Sequence, residues 1–230
     1  ALKKGEEVKV ATYPQGTFVS ISEGEKGLTL INQGLPEYEV LPDGKGSTVF
    51  ITLLRCVGWL SREDLLARSG SAGPSLPTPD AQCLGRHTFH YGLVPHRGNW
   101  GEAKSYLQAC EFRLPLIVQE MDSHQGMLPL AESFVSLQPS ELVLTAFKKA
   151  EVGDYLLLRF YNIAEKEIQG RVRFFRPVEE AALMNLHEDP LDEASLKPEA
   201  NGEILMTVPG RKVVTIRCKL QHLYIEGDQQ

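Results

Sequence analysis

Residues 212–220 read KVVTIRCKL, and apolar and polar side chains alternate along the whole stretch. Successive side chains of a β-strand point to opposite faces, so this alternation predicts a strand with one buried face. That face carries Val214, Ile216, Cys218 and Leu220. The stretch therefore predicts a sheet that covers a core on one side, as in a β-sandwich.

The same period-two pattern recurs along most of the chain. Each stretch is bounded by Gly, Pro, Asn or Asp, which favour turns. Many short strands with turn signals between them predict an all-β fold of the sandwich type. The predicted strands cover residues 18–21, 27–32, 47–57, 85–94, 112–119, 141–148, 156–161, 171–175 and 212–220.

Two four-residue patterns resemble capping boxes and predict a short helix after each. They are Ser61 with Asp64, before residues 65–68, and Asn99 with Glu102, before residues 103–109.

A domain boundary is expected at residues 137–140. Pro139 interrupts the strand pattern, and a new alternating series begins at Glu141. We therefore expect a large β-sandwich piece over residues 1–140 and a smaller β-sandwich over residues 141–230.

Composition argues against two classes of partner. The chain has 24 Lys and Arg against 30 Asp and Glu, a net charge of -6, and its basic residues are scattered. Binding to a phosphate backbone needs clustered basic residues, so no nucleic acid is expected. The sequence also has no run of about 18 apolar residues, so no membrane partner is expected.

The four cysteines are Cys56, Cys83, Cys110 and Cys218, and they include no C-x-x-C pair. Their wide spacing does not match the usual structural zinc motifs. Two disulfides are possible by count. The place of Cys218 on the apolar face of its strand instead favours buried, reduced thiols, which predicts a cytoplasmic location.

Residues 49–100 carry a recognisable order of features. An apolar strand ends in Arg55, a corner follows at Gly58 and Trp59, and a loop rich in Gly and Pro leads to Cys83 and a second strand. This order resembles the carboxy-terminal region of the glycoside hydrolase family 38 alpha-mannosidases, especially their bacterial branch. The resemblance covers nearly the whole chain, because it continues over residues 27–38, 142–151 and 158–162.

The resemblance implies both a fold and a function. Residues 1–140 would correspond to the later part of the family's supersandwich domain, which is similar to galactose mutarotase. The parent would be a retaining, zinc-dependent alpha-mannosidase of mannose metabolism whose catalytic barrel, with the nucleophile and zinc, lies outside this chain. This part would brace the barrel, help to close its pocket and support homo-oligomer contacts. Alone, it would be inactive and hold no zinc.

Arg55 is the main candidate for a role at the substrate pocket or a domain seam. In the family, an arginine from this half reaches toward the pocket, and residues 51–55 match the strand that carries it, although Cys56 stands where the animal enzymes have a second Arg. A guanidinium suits sugar hydroxyls or a catalytic carboxylate, and the alternative is a structural salt bridge. Trp59 and Trp100 are weaker candidates for sugar contact, with packing as the alternative.

Histidines and carboxylates give no catalytic or metal assignment. His187 and Asp189 form a His-x-Asp pair like the family's zinc ligands, but they lie late in the chain, where a solvated turn is expected. His87, His90 and His96 form a cluster, but the first two would face opposite sides of a strand. Glycosidases use paired carboxylates, and the close pairs here lie in no motif that fixes roles. These pairs are Glu37 with Glu39, Glu63 with Asp64, Glu120 with Asp122, and Glu179 with Glu180.

Two other functions stay open. A free-standing carbohydrate-binding β-sandwich module would use the tryptophans without a catalytic partner. An independent mutarotase-like enzyme would need a histidine and a carboxylate on one concave sheet, and the sequence reveals no such pair. The reading frame upstream of Ala1 separates the first alternative from the mannosidase.

Overall fold

The computed structural model describes residues 8–123, 126 and 128–221. These residues form β-strands, one α-helix and a short 3₁₀ turn, Pro79–Gln82, which confirms the all-β prediction. Their contacts divide the chain into two units that separate between Glu120 and Met121. In the described part, no helix is long and apolar enough to cross a membrane.

The first unit contains two antiparallel sheets of three strands each and one helix. Its elements are β1 (Thr12–Pro14), β2 (Phe18–Glu23), β3 (Lys26–Asn32), β4 (Glu37–Pro42), β5 (Ser47–Ile51), β6 (Tyr91–Arg97) and α1 (Ser105–Arg113). One sheet has the order β1-β4-β5, and the other has the order β2-β3-β6. The helix α1 packs against β3, which carries the buried Thr29, Ile31 and Asn32.

The second unit is a two-sheet sandwich. Its strands are β7 (Val135–Gln138), β8 (Leu142–Lys149), β9 (Leu156–Asn162), β10 (Ile168–Phe174), β11 (Val178–Met184), β12 (Pro190–Leu196), β13 (Ile204–Val208) and β14 (Val213–Leu220). A three-stranded sheet, β13-β10-β7, faces a five-stranded sheet, β12-β11-β14-β9-β8. One buried cluster joins them, with Phe160 and Ile216 from the larger sheet and Val172 and Ile204 from the smaller. The expected smaller β-sandwich is therefore present.

The two units separate earlier than the expected boundary at residue 140. Strand β7 pairs with β10, so that Leu137 lies opposite Val172, and residues 135–138 therefore belong to the second unit. Pro139 does follow the end of β7, as expected of a residue without an amide N–H. The interruption of the strand pattern at Pro139 is therefore a turn inside the sandwich and not a domain boundary. In this turn the Leu142 N–H donates to the Pro139 carbonyl at 3.0 Å.

Two predicted strands have other bounds in the structure, and a third is absent. The strand expected over residues 47–57 ends at Ile51, and the one expected over residues 85–94 begins only at Tyr91. The strand expected over residues 112–119 is absent, because α1 continues to Arg113 and residues 115–120 have no regular structure.

The two capping-box predictions have different outcomes. No helix follows Ser61, because its hydroxyl is used inside the loop, where it lies 2.9 Å from Ser71 Oγ and accepts the Ala72 N–H at 3.0 Å. The second box does form: Glu102 Oε2 accepts the Asn99 N–H at 2.9 Å, and Asn99 Oδ1 accepts the Glu102 N–H at 3.1 Å. It closes a turn, and α1 begins only after that turn, at Ser105.

Candidate functional site

The candidate site lies in the first unit on the β5–β6 connection, which we define as residues 52–90. The Thr52 N–H donates to the Glu37 carbonyl at 2.9 Å, and this is the last bond between β5 and β4. The residue before β4 is Pro36, which has no N–H with which to extend the pairing. The chain therefore leaves the sheet before it reaches Arg55, and the prediction that Arg55 ends a strand is wrong.

Arg55 forms an ion pair with Glu37 at the surface. Its NH1 lies 3.2 Å from Glu37 Oε1, and the two side chains are 68% and 27% exposed. Because water screens such a pair, it contributes less than about 1 kcal/mol to stability. The pair therefore explains little of the fold, and the open side of the guanidinium can still meet another group. The surface position agrees with the expectation for Arg55, whose role stays a prediction.

Exposed apolar side chains flank Arg55 along the chain. Each of them is between 41% and 61% exposed: Leu53, Leu54, Val57, Trp59 and Leu60. We call residues 53–60 the apolar segment. Large apolar side chains that gather at a surface are typical of a site that contacts another molecule or domain.

Trp59 lines a shallow depression of about 420 Å³ together with Arg62, Glu63, Asp64 and Ser75. Arg62 Nε donates to Asp64 Oδ1 at 2.7 Å, and a second bond joins the same two side chains. These hydrogen bonds hold the pKa of Asp64 below its ordinary value, so Asp64 is an anion at neutral pH and is unsuited to act as a general acid. An aromatic face beside charged hydrogen-bonding groups can accept a sugar ring.

Trp100 has a different environment. Its ring centroid lies 5.8 Å from that of Phe18 and 6.2 Å from that of Tyr106, which it meets edge to face. Tyr106 is buried. These contacts favour the packing role over the sugar contact for Trp100.

The four cysteines are free thiols in different environments. Cys218 is buried, and burial raises its pKa to about 12. Cys83 and Cys110 are half-buried, and Cys56 is exposed. The prediction of buried thiols therefore holds for Cys218 and is wrong for Cys56.

The three clustered histidines serve separate parts of the first unit. His87 Nε2 lies 2.7 Å from the Cys83 carbonyl oxygen. Since β6 begins after His90, the argument that His87 and His90 face opposite sides of a strand does not apply. His96 does lie in β6, and its Nε2 is 2.9 Å from Thr29 Oγ1.

A polar cluster around His96 was not predicted from the sequence. Thr29 is fully buried and donates its hydroxyl to Ser20 Oγ at 2.8 Å, across a direct strand pair. Opposite His96 lies Gly27, where a Cβ would stand 2.0 Å from the His96 Cε1. A glycine inside a strand pattern was the available signal for this close approach. The side-chain partners of His96 in the described structure are hydroxyls, so the cluster is not the histidine and carboxylate pair of a mutarotase-like site.

His187 and Asp189 lie in the turn between β11 and β12. The Asn185 Oδ1 accepts the His187 N–H at 2.8 Å and the Asp189 N–H at 3.0 Å. Glu188 has a positive φ of 69°, as a tight turn requires. The prediction of a solvated turn is confirmed.

Two of the carboxylate pairs line surface depressions, and in the described part of the chain none belongs to a metal site. Glu37 and Asp64 each hold an arginine, and Glu179 and Glu180 line a depression of about 490 Å³ on the second unit beside Tyr155. Glu39 and Glu63 are half-buried and exposed, and Glu120 and Asp122 are exposed. Among the residues that the structure describes, no three His, Cys, Asp or Glu side chains could together hold a metal ion.

Comparison with known proteins relates this geometry to one enzyme family. Residues 141–216 match the family model described as "Glycosyl hydrolases family 38 C-terminal beta sandwich domain". A Halalkalibacterium halodurans protein with the provisional name mannosylglycerate hydrolase is 28% identical over 87% of this chain and 20% of its own length. Alpha-mannosidase 2C1 of Mus musculus is 28% identical over 78% of this chain and 16% of its own length.

A solved structure supports the same relationship. A glycosyl hydrolase family 38 protein from Enterococcus faecalis superposes with a TM-score of 0.71 at 29% identity, and the match covers 90% of this chain and 22% of that one. The chain thus spans about a fifth of the length of the relatives that it matches.

Proposed function

We propose that this chain belongs to glycoside hydrolase family 38, as part of its carboxy-terminal region, and that it is an accessory β-domain of a retaining, zinc-dependent alpha-mannosidase. The observation that carries the proposal is the match of residues 141–216 to the family's C-terminal β-sandwich. Since the chain spans about a fifth of its relatives, catalysis would belong to a domain outside it. Its first partner would then be that catalytic domain. The substrate of the parent enzyme would be an alpha-mannoside.

The described residues do not fit a catalytic zinc site. Such a site needs three protein ligands and one open position, and the described part of the chain holds no cluster of three suitable side chains. We therefore assign the zinc to the catalytic domain.

A bracing role is supported by apolar surface that this chain leaves uncovered. Leu116, Ile117 and Val118 are 95%, 94% and 91% exposed, and the stretch has no regular structure. An exposed apolar stretch without regular structure can add as a strand to the edge of a sheet. We propose that the catalytic domain covers this stretch and the apolar segment.

We also propose that Arg55 helps to close the substrate pocket. In the enzyme that contains this chain, Arg55→Ala is expected to lower kcat/KM for an aryl alpha-mannoside by about 10- to 100-fold, because a charged hydrogen bond is lost. Its Tm should hardly change, since the pair with Glu37 is exposed.

Arg211→Ala is the matched control for this experiment. Arg211 is also exposed and also pairs with a single acid, at 3.0 Å from Glu165 Oε1, but it lies in the second unit. Equal activity in the two variants would reduce Arg55 to a structural ion pair.

The isolated chain gives a second test. It should fold, yet neither hydrolyse an aryl alpha-mannoside nor retain zinc after dialysis. One zinc per chain or turnover above background would contradict the assignment of the chemistry to another domain. An open reading frame upstream of Ala1 that encodes a catalytic barrel would support the proposal directly.

Oligomer contacts and location complete the proposal. A homo-oligomer built through the uncovered apolar surface would show concentration-dependent sedimentation, and a strictly monomeric enzyme would contradict it.

A cytoplasmic location is proposed on the basis of the unpaired thiols of the sequence. Cell fractionation tests it.

The depression at Trp59 favours one alternative, a free-standing carbohydrate-binding module. Calorimetric titration of the isolated chain with mannose oligosaccharides tests this function. Binding that Trp59→Ala abolishes, together with a stop codon upstream of Ala1, would support the module. Absence of binding would leave the mannosidase domain as the better explanation.

A further inference from the structure

Cys56 and Cys83 are the ends of a loop that folds back on itself within the β5–β6 connection. The Val57 N–H donates to the Ala81 carbonyl at 3.2 Å. The Thr78 hydroxyl donates to the Val57 carbonyl at 3.1 Å. These bonds hold the backbone that follows Cys56 against the turn that precedes Cys83, although the two cysteines are far apart in sequence.

The backbone of Cys83 is fixed on both sides. Its φ of 49° lies in the left-handed region, which a residue with a Cβ rarely adopts. Its N–H donates to the Asp80 carbonyl at 3.1 Å, and its carbonyl oxygen lies 2.7 Å from His87 Nε2. Non-glycine residues held in such a conformation are frequent at functional positions, and here the bonds fix the direction of the Cys83 side chain.

The two thiols are neighbours with unequal access to solvent. Cys56 is exposed, whereas Cys83 is half-buried. Partial desolvation raises the pKa of Cys56, and the neighbouring Cys83 adds to this effect. Cys110 in α1 and Cys218 in β14 lie on other elements.

We propose that Cys56 and Cys83 form a dithiol site that low-molecular-weight disulfides, such as oxidised glutathione, convert reversibly into an intramolecular disulfide. The exposed Cys56 thiolate attacks one sulfur of oxidised glutathione, breaks its S–S bond and releases a glutathione thiolate, which takes up a proton. The Cys83 thiolate then attacks the Cys56 sulfur of this mixed disulfide and releases the second glutathione thiolate, which is also protonated. Two protein thiols are thereby oxidised to one disulfide, and one oxidised glutathione is reduced to two thiols.

The disulfide would change the properties of the loop between the two cysteines. This loop carries Trp59 and the Arg62–Asp64 pair, and Arg55 lies directly before it. In the reduced protein, backbone hydrogen bonds hold its two ends together, and a covalent bond would oppose their separation. Redox state would thus control the rigidity of the candidate site. The inference does not rest on the proposed function, since the thiols would react alike in a mannosidase domain and in a carbohydrate-binding module.

The experiment equilibrates the chain with mixtures of reduced and oxidised glutathione, quenches with acid and alkylates the remaining thiols in denaturant. Mass spectrometry should find two alkylated thiols and one peptide pair that links Cys56 to Cys83. Because the thiolate is the attacking species, the reaction should accelerate from pH 7 to pH 9. Proteolysis of the loop in the oxidised protein should slow by about tenfold.

Four serine variants complete the test. Cys83→Ser should retain a glutathione adduct on Cys56, because no second thiol displaces it, and Cys56→Ser should form no intramolecular disulfide. Cys110→Ser and Cys218→Ser are the matched controls and should still form the Cys56–Cys83 bond. Four alkylated thiols at high oxidised glutathione, a lasting adduct in the unsubstituted protein, or a bond between two chains would overturn the proposal.

Discussion

Asn162→Ala is expected to destabilise the second unit strongly. Asn162 ends β9 and is fully buried. Its Nδ2 donates to the carbonyls of Lys166 at 2.9 Å, Val208 at 3.0 Å and Pro209 at 3.2 Å, and its Oδ1 accepts the Ala164 N–H at 2.9 Å. One side chain therefore joins the turn after β9 to the turn after β13.

The magnitude follows from the groups that alanine would leave without partners. Each buried polar group that loses its hydrogen bond costs about 1–3 kcal/mol, and the two hydrogens of Nδ2 are shared among three acceptors. The bond to Val208 is buried, whereas the others are partly buried and water can replace part of their loss. We expect a total loss of about 3–5 kcal/mol, a large part of the roughly 5–15 kcal/mol that stabilises a typical domain.

Urea unfolding followed by circular dichroism measures this loss, and hydrogen exchange shows whether it affects residues 156–174 and 204–220. Asn201→Ala is the matched control, because Asn201 is exposed and its Oδ1 accepts one bond, from the Glu203 N–H at 3.1 Å. The control should lose less than about 1 kcal/mol. Equal losses in the two variants, or a loss below about 1 kcal/mol for Asn162→Ala, would refute the reasoning.

Two further predictions concern the first unit and the pH dependence of the second. Gly27→Ala should lower stability by about 2–3 kcal/mol in thermal unfolding, because its Cβ would displace the His96 ring, whereas Gly16→Ala, with no atom within 4 Å of the added Cβ, should change it little. Glu188→Gln should lower Tm at pH 7, since the Glu151 N–H and Lys148 hold the pKa of Glu188 below its ordinary 4.5. This stabilisation is present above pH 4.5 and is lost as pH falls through the folded pKa, so a Tm difference that persists undiminished at lower pH would contradict the assignment.

The strands that the sequence predicted well bury one face within this chain. Residues 212–220 match β14, and the alternate side chains Val214, Ile216 and Cys218 are buried. Two of the strands that were not predicted lack clean alternation. Strand β11, VEEAALM, has an irregularity between Val178 and Glu180 that shifts its period, and β13, ILMTV, is almost continuously apolar.

The candidate site was predictable only in part. The surface position of Arg55 follows from the cost of burying an unpaired charge. The pairing of Arg55 with Glu37 was not predictable. It depends on the β4–β5 hairpin, which brings Glu37 close to Arg55, and β4 was not predicted. The approach of Cys56 to Cys83 depends on backbone hydrogen bonds in an irregular loop, which no side-chain period encodes.

Two failed predictions have different physical causes, and the difference bears on what this chain contacts. At Ser61, a hydroxyl that could have capped a helix instead finds partners inside its own loop, so local hydrogen bonds explain the outcome completely. At residues 112–119, the side chains predicted to be buried in a sheet are exposed, with Leu116, Ile117 and Val118 above 90%. Burying one such side chain contributes about 1.5–3 kcal/mol, and an apolar pattern reflects burial in the whole protein rather than in the part at hand. The second failure therefore supports a missing neighbour at this stretch, as the proposed catalytic domain would provide.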